Sequence, residues 1–393
     1  MDGNRRFSRR GFVGGVATAL GYLTLDPDRR LWAQSIGGTR AIPPNGPADE
    51  YDTLAKLANN ENPYGPSEAV MKAMTQALKY ANRYGYPDGG ITDAIAKHHG
   101  VKGENVLLGS GSGEILDVAC NTYLRGGRKI LSSEPSYDVI FGHVTAYKAD
   151  AIRVPSLPDF RQDIAGLVKA ARAYNREIGF VYLCSPNNPT GRIVTKQEIQ
   201  QLLDGIPEDM PVLIDEAYFH FVEDPDYATS IPHVFEGRPV MVTRTFSKIA
   251  ALAGMRLGYA IAPEEMIRDM RPYATGTINA IVKWGGVAAL GDTEAQAKVK
   301  RVTLDLRKKT TTELQNIGYT VVPSEANFFL VHIRRPVPPV IEEFKKKGVL
   351  VGRPFPPLME HLRVSVGTAD EMSRFLTAFR DIVPQPRTAS KTG

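Results

Sequence analysis

The chain has 393 residues, 42% of them apolar, and a formal net charge of +5, which suits a soluble globular protein with a substantial core and excludes a fibrous or disordered chain. Residues 1–33 hold six arginines against three aspartates, so most of the net charge sits in that leader and a nucleic-acid surface is poorly supported. Cys120 and Cys184 follow no metal-ligand spacing and the seven histidines form no H-E-x-x-H pair, which argues against a structural zinc and a disulfide framework.

The amino terminus reads as an address. Ser8-Arg9-Arg10-Gly11-Phe12-Val13 sets paired arginines before a mildly apolar stretch from Gly11 to Leu25, and a processing point follows at Ala33. The pattern resembles a twin-arginine signal, which implies export machinery that carries folded proteins and a periplasmic or secreted destination. The stretch is too short and glycine-rich for a permanent membrane anchor; an amphipathic surface helix is the alternative. Residues 34–57, rich in glycine, proline and acidic groups, read as an N-terminal arm.

Ser67 to Tyr80 follows a helical period that Ser67 can cap. From Val106 to Gly258, short apolar runs (Val106–Leu108, Lys129–Leu131, Phe180–Leu183, Val212–Ile214, Val240–Val242) alternate with helical segments. That order predicts an α/β fold with a mostly parallel sheet covered by helices. A long helix over Lys298–Asn316 and strands at Ala326–His332 and Leu362–Val366 predict a smaller α+β domain. The expected division is a large domain over 58–275, a small one over 276–383 and a flexible tail over 384–393.

Four motifs carry chemistry. Gly109-Ser110-Gly111-Ser112-Gly113-Glu114 opens a helix after the first run, where free backbone amides can hold a phosphate, although a plain flexible turn reads the same way. Asn188 lies in the loop Ser185–Gly191, able to offer its amide to an oxyanion or to serve as a turn residue. Asp215 ends an apolar strand, where a buried carboxylate needs a partner such as a protonated pyridine nitrogen; capping the next helix is the alternative. Glu216 beside it must face the other way. Lys248 is bracketed by Thr245, Ser247 and Arg256, a spacing suited to an imine-forming lysine beside a phosphate cradle. Taken alone, such a lysine is far more often a solvated surface charge. His143 shows no partner in the sequence and reads as structural.

In the order Asn188, Asp215, Tyr218, Lys248, Arg256, joined by Asn59–Ser67, Tyr84–Asp88, Glu134–Tyr137 and Leu362–Thr368, the chain resembles the fold-type I pyridoxal-phosphate aminotransferases, closest to the histidinol-phosphate aminotransferase-like branch. The resemblance implies that Lys248 bonds the cofactor. It places the Ser112 and Gly113 amides, Thr245, Ser247 and Arg256 on the phosphate, Tyr137 on the pyridine face, Asn188 and Tyr218 on the ring oxygen and Asp215 on the ring nitrogen. Tyr64 would reach the phosphate of a neighbouring subunit, hence a homodimer. Arg363 would clamp the substrate α-carboxylate, with Asn327 and Arg353 as companions. The implied reaction is ping-pong transamination between an amino acid and a 2-oxo acid.

The substrate departs from the branch. The stretch Ile42–Asp49 lacks the expected Pro-Tyr-x-Pro-Gly-like element, and Gly352 separates Val351 from Arg353. With export, these favour a free, aromatic or otherwise bulky amino acid over a phosphorylated substrate. A decarboxylase or lyase, an amino-acid oxidase and a noncatalytic cofactor-binding sensor are the alternatives on the same scaffold.

Overall fold

Short apolar runs become strands, and the computed structural model, which describes residues 50–384, shows how they are ordered. In chain order they are β1 (Ala55–Leu57), β2 (Val106–Gly109), β3 (Lys129–Glu134), β4 (Ala151–Pro155), β5 (Ile178–Cys184), β6 (Val212–Asp215), β7 (Val240–Thr245), β8 (Gly258–Ile261), β9 (Thr320–Val322), β10 (Phe328–His332), β11 (Val349–Val351) and β12 (His361–Ser365). Seven of them form one sheet in the order β2-β8-β7-β6-β5-β3-β4. β7, β6, β5, β3 and β4 run parallel, while β8 is antiparallel to both β7 and β2. Two reversals cancel, so β2 points the same way as β7. The loops after β2, β3, β5, β6 and β7 therefore open on one edge, where ligands of open α/β sheets gather.

Both faces of the sheet are buried, as parallel strands under helices require. Leu131, Val181, Ile214 and Val242 face one core, and Ile130, Phe180, Leu213 and Met241 the other. The sequence reading passes over β4 and β8. β4 is an edge strand with largely half-exposed side chains and β8 is four residues opening on glycine, so neither offers the apolar run that marks the others.

A second core lies around the remaining strands. β10 pairs antiparallel with β9 and β12, and β1 pairs parallel with β11. Phe329, Phe344, Leu362, Val364, Phe375 and Phe379 pack there. The last residues of the expected arm, Ala55–Leu57, are thus a strand tied to β11 some three hundred positions later. Ser67 caps the helix Glu68–Ala77 through the Val70 amide, as expected. The long helix starts at Thr293 rather than Lys298, because the Asp292 carboxylate caps it. The helix Ala280–Gly291 packs on Glu68–Ala77, where Gly285 admits Met74 at a distance that a Cβ would close to 2.8 Å.

Among the described residues, no helix is long and apolar enough to cross a membrane. The leader of residues 1–33 with its processing point, the arm up to residue 49 and the tail after Pro384 lie outside the described residues.

Candidate active site

The loops at the shared edge bring the motif residues together around three features, beginning with a cradle for an anion. Ser112 opens the helix Ser112–Tyr123 after Gly111, whose φ of +78° is readily reached only by glycine. A Cβ on Gly111 would overlap the Arg256 guanidinium, and one on Gly258 would overlap the Ser112 amide nitrogen. Both glycines thus let a cation and a helix N-terminus close on the same spot. Arg256 itself holds a left-handed φ of +59° and directs Nη1 to Ser247 Oγ at 3.5 Å and to the Ala253 carbonyl at 2.9 Å. Thr245 Oγ1 donates to Ser247 Oγ at 2.8 Å. Hydroxyls, a guanidinium and first-turn amides are the donor set that a phosphate dianion takes. Gly111→Ala should therefore displace Arg256 and weaken pyridoxal-phosphate binding at least about tenfold, read by fluorescence titration of the cofactor-free protein.

The second feature is an unmatched anion. Asp215, at the end of β6, is only 2% exposed and accepts from Tyr182 Oη at 3.2 Å and the Ala217 amide at 3.1 Å. Burial pushes its carboxyl up to about 6, and among the described residues no cation pairs with it at salt-bridge distance. A protonated ring nitrogen is the kind of partner that would restore its charge. Glu216 faces away, as strand geometry requires, and pairs with Arg244 at 2.7 Å and with Thr229 and the Ser230 amide.

The third is a softened amine. Lys248 is partly open to the cleft, with Nζ donating to the Asn59 carbonyl at 3.1 Å and lying 5.5 Å from the Tyr218 ring centre. Desolvation first, then the charges of Arg363 and Arg256, lower its pKa to about 8. At pH 7 about a tenth of such amines are neutral, against about three in ten thousand for an ordinary lysine. The rate at which the cofactor-free protein captures pyridoxal phosphate should rise about tenfold per pH unit up to pH about 8 and level off above it, since only the neutral amine attacks an aldehyde. Stopped-flow absorbance checks this.

Beside these lies Arg363 on β12, buried and linked through Nη1 to Asn188 Oδ1 at 2.7 Å and through Nη2 to the Ala58 carbonyl. Asn188 Nδ2 in turn donates to Tyr218 Oη at 3.3 Å. Arg363 has no acidic partner among the described residues, and its Nε is buried without a hydrogen bond. Burial lowers it to about 10, which leaves it charged at neutral pH. Gly352 makes room for it: a Cβ there would stand 2.7 Å from the Arg363 carbonyl and 3.2 Å from its Nε. The glycine that interrupts the expected Val-Arg run thus serves the arginine to whose carbonyl its own N–H donates at 2.9 Å.

Of the remaining expected residues, Tyr137 sits beside Asp215 closely enough that burial and that charge push its phenol up to about 12. Asn327 donates to the Asn60 carbonyl at 3.0 Å, leaving its Oδ1 buried without a partner. Arg353 pairs with Asp138. Gly113 lies one residue into the helix from Ser112. Tyr64 is 46% exposed and stands outside this network.

The sequence reading misses Asn60. With a φ of +56°, it donates from Nδ2 to Tyr218 Oη at 3.0 Å and from its backbone N–H to Ser365 Oγ at 2.8 Å. Ala58, Asn59 and Asn60 therefore form a strap touched by Arg363, Lys248, Asn327 and Tyr218; the place of Asn59 and Asn60 in the asparagine-rich motif is the only signal of it in the sequence. His143 also has a partner that the sequence does not show: its Nδ1 lies 2.9 Å from Asp117 Oδ1.

Comparison with known proteins agrees with this arrangement. The family model "Aminotransferase class I and II" matches residues 52–379. The chain is 34% identical to the histidinol-phosphate aminotransferase of Moorella thermoacetica, covering 97% of both chains. It is also 34% identical to histidinol-phosphate aminotransferase 2 of Carboxydothermus hydrogenoformans, over 86% of this chain and 96% of that one. The histidinol-phosphate aminotransferase of Sinorhizobium meliloti, solved in complex with pyridoxal-5'-phosphate, shares the fold at a TM-score of 0.78 and 23% identity, over 88% of this chain and 99% of that one. L-threonine-O-3-phosphate decarboxylase of Porphyromonas gingivalis also has this fold, at a TM-score of 0.70 and 20% identity over 83% of this chain and 98% of that one, so fold alone does not select the bond that is broken. With a family model spanning most of its length and a cradle, an unmatched aspartate and a softened lysine in one cleft, the chain belongs to the class I and II aminotransferases and is a pyridoxal-phosphate-dependent aminotransferase of fold type I.

Proposed function

We propose that the chain exchanges amino groups between a free amino acid and a 2-oxo acid in a homodimer, after export through a twin-arginine signal. The observation that carries the substrate reading is Arg363: a buried guanidinium with an unpartnered Nε and, among the described residues, no carboxylate at ion-pair distance calls for a carboxylate, and its planar fork suits an α-carboxylate.

Pyridoxal phosphate supplies an aldehyde that condenses with amines and a ring that draws electrons from the bond broken at the substrate Cα. The chain's own residues do the rest. The Ser112 and Gly113 amides with Thr245, Ser247 and Arg256 would anchor the phosphate, and Tyr137 would cover the ring. Asp215 would keep the ring nitrogen protonated, while Asn188 and Tyr218 would hold the ring oxygen. Asn60, donating to the Tyr218 hydroxyl together with Asn188, leaves that hydroxyl's own proton to point into the site. Lys248 anchors the cofactor and, once freed, takes the proton from Cα with its neutral amine. Arg363 with Asn327 orients the substrate so that this proton faces Nζ. Tyr64, exposed in its own chain, is offered to the partner's phosphate.

Histidinol phosphate is the second reading, favoured by the relatives named above and by Arg353 near Arg363. A panel of amino acids and histidinol phosphate, scanned for conversion of the cofactor absorption band and then for its return with 2-oxo acids, separates the two. Conversion by aromatic or bulky amino acids supports the proposal, and conversion by histidinol phosphate alone overturns it. Export rests on Arg9-Arg10 and the apolar stretch behind them. A processed protein outside the cytoplasm is expected, and its loss on Arg9→Lys with Arg10→Lys; purely cytoplasmic, unprocessed protein would refute it.

A further inference from the structure

Phe355 is buried, and two arginines lie over its ring. The Arg363 guanidinium lies 4.5 Å from its ring centre and that of Arg353 lies 4.2 Å away. The inner arginine is the unmatched one described above, whereas the outer one is matched: Arg353 Nη2 pairs with Asp138 Oδ1, and Nη1 donates to the Pro354 carbonyl at 3.1 Å. Asp138 directly follows Tyr137 and stands at the start of the helix Val139–Ala146, yet its side chain makes no capping hydrogen bond. Its carboxylate is committed to Arg353 instead. Both side chains remain partly open to solvent, 37% for Arg353 and 47% for Asp138, so a ligand extending outward from Arg363 can reach them.

From this juxtaposition we infer that Asp138 is a specificity-determining residue: by occupying Arg353 it makes the outer end of the substrate site select amino and oxo acids with uncharged side chains over those ending in a second carboxylate or a phosphate. The inference rests on the reading of Arg363 as the α-carboxylate clamp. A distal anion meets a cation already bound and a carboxylate of its own sign, so it gains only what is left after displacing Asp138. An uncharged side chain disturbs neither charge. The preference thus comes from a built-in competitor rather than from the absence of a cation, and removing the competitor should release it.

The test uses the holoenzyme with two carboxylates that cannot react, glutarate and 3-phenylpropionate, and measures dissociation constants by calorimetry for the parent, Asp138→Asn and Asp138→Asn with Arg353→Gln. Because Asp138 is half-exposed and caps nothing, the variant should fold; its melting temperature checks this. Asp138→Asn is expected to tighten glutarate at least about tenfold relative to 3-phenylpropionate, and the added Arg353→Gln to abolish that gain. The ratio of kcat/KM for glutamate over phenylalanine should rise in parallel. An unchanged ratio in Asp138→Asn, or a gain that survives Arg353→Gln, overturns the inference while leaving the carboxylate clamp standing. If the parent binds neither carboxylate, the clamp itself fails and this inference falls with it.

Discussion

Lys248→Ala should lower turnover by at least about 10⁴-fold, because it removes both the anchor of the cofactor and the base that moves the Cα proton. The cradle of Arg256, Ser247 and Thr245 does not depend on this side chain, so pyridoxal phosphate should still bind, now reversibly and removable by dialysis. The fold should survive: the amine makes one hydrogen bond, to the Asn59 carbonyl, and is partly open to the cleft. Single-turnover absorbance with an amino-acid donor reads the loss. A small added primary amine should restore part of the rate by entering the space left behind and carrying the proton. Turnover near the parent rate would remove Lys248 from the mechanism.

Asp215→Asn should cut the donor half-reaction by about 10²–10³-fold, the effect of losing one partner of a buried charge pair. Its effect on stability should reverse between the two forms of the protein. Without cofactor, Asp215 has a folded pKa of about 6, above the ordinary value of 3.8, so folding favours its protonated form. The sign follows: its contribution is fully present below about pH 4 and is lost as pH rises through 6. At pH 7 the buried carboxylate costs the cofactor-free protein on the order of 3 kcal/mol. Asparagine removes that cost and gives up about one hydrogen bond, from Tyr182 or the Ala217 amide. The cofactor-free variant should therefore melt higher than the parent at pH 7, with the gap closing toward pH 4. With cofactor bound, the order should invert. A variant that melts lower in both forms would show that Asp215 is structural.

Much of this site is legible in the primary structure because its parts sit on short stretches whose geometry is local. Thr245, Ser247 and Lys248 share one turn, and Gly111 and Ser112 share one helix start. Asp215 ends an apolar run, which predicts both its burial and its need for a partner. The strands that escape the reading are β4 at the edge, β8 at four residues, and the three-residue β1, β9 and β11, each too short or too mixed to stand out as a local apolar run. Asn60 escapes for a related reason, since its bonds to Tyr218 and Ser365 join residues 158 and 305 positions away.

Residue order and type by themselves predict an α/β sheet with its candidate loops at strand ends, a candidate phosphate cradle and a candidate imine-forming lysine, while the arginine expected at a carboxylate comes from the family resemblance. The Arg9-Arg10 leader sets the expected address in the same way. Tertiary structure alone decides the charge states and the partners. It lowers Lys248 to about 8 and raises Asp215 to about 6, because desolvation depends on what packs around a group rather than on its neighbours in the chain. It also sets Arg363 and Arg353 against the ring of one phenylalanine, Phe355, leaving the first without an ion-paired carboxylate and giving the second to Asp138. The resemblance singles out Arg363 of the two arginines; the fold adds that Arg353 is ion-paired and Arg363 is not, among the described residues.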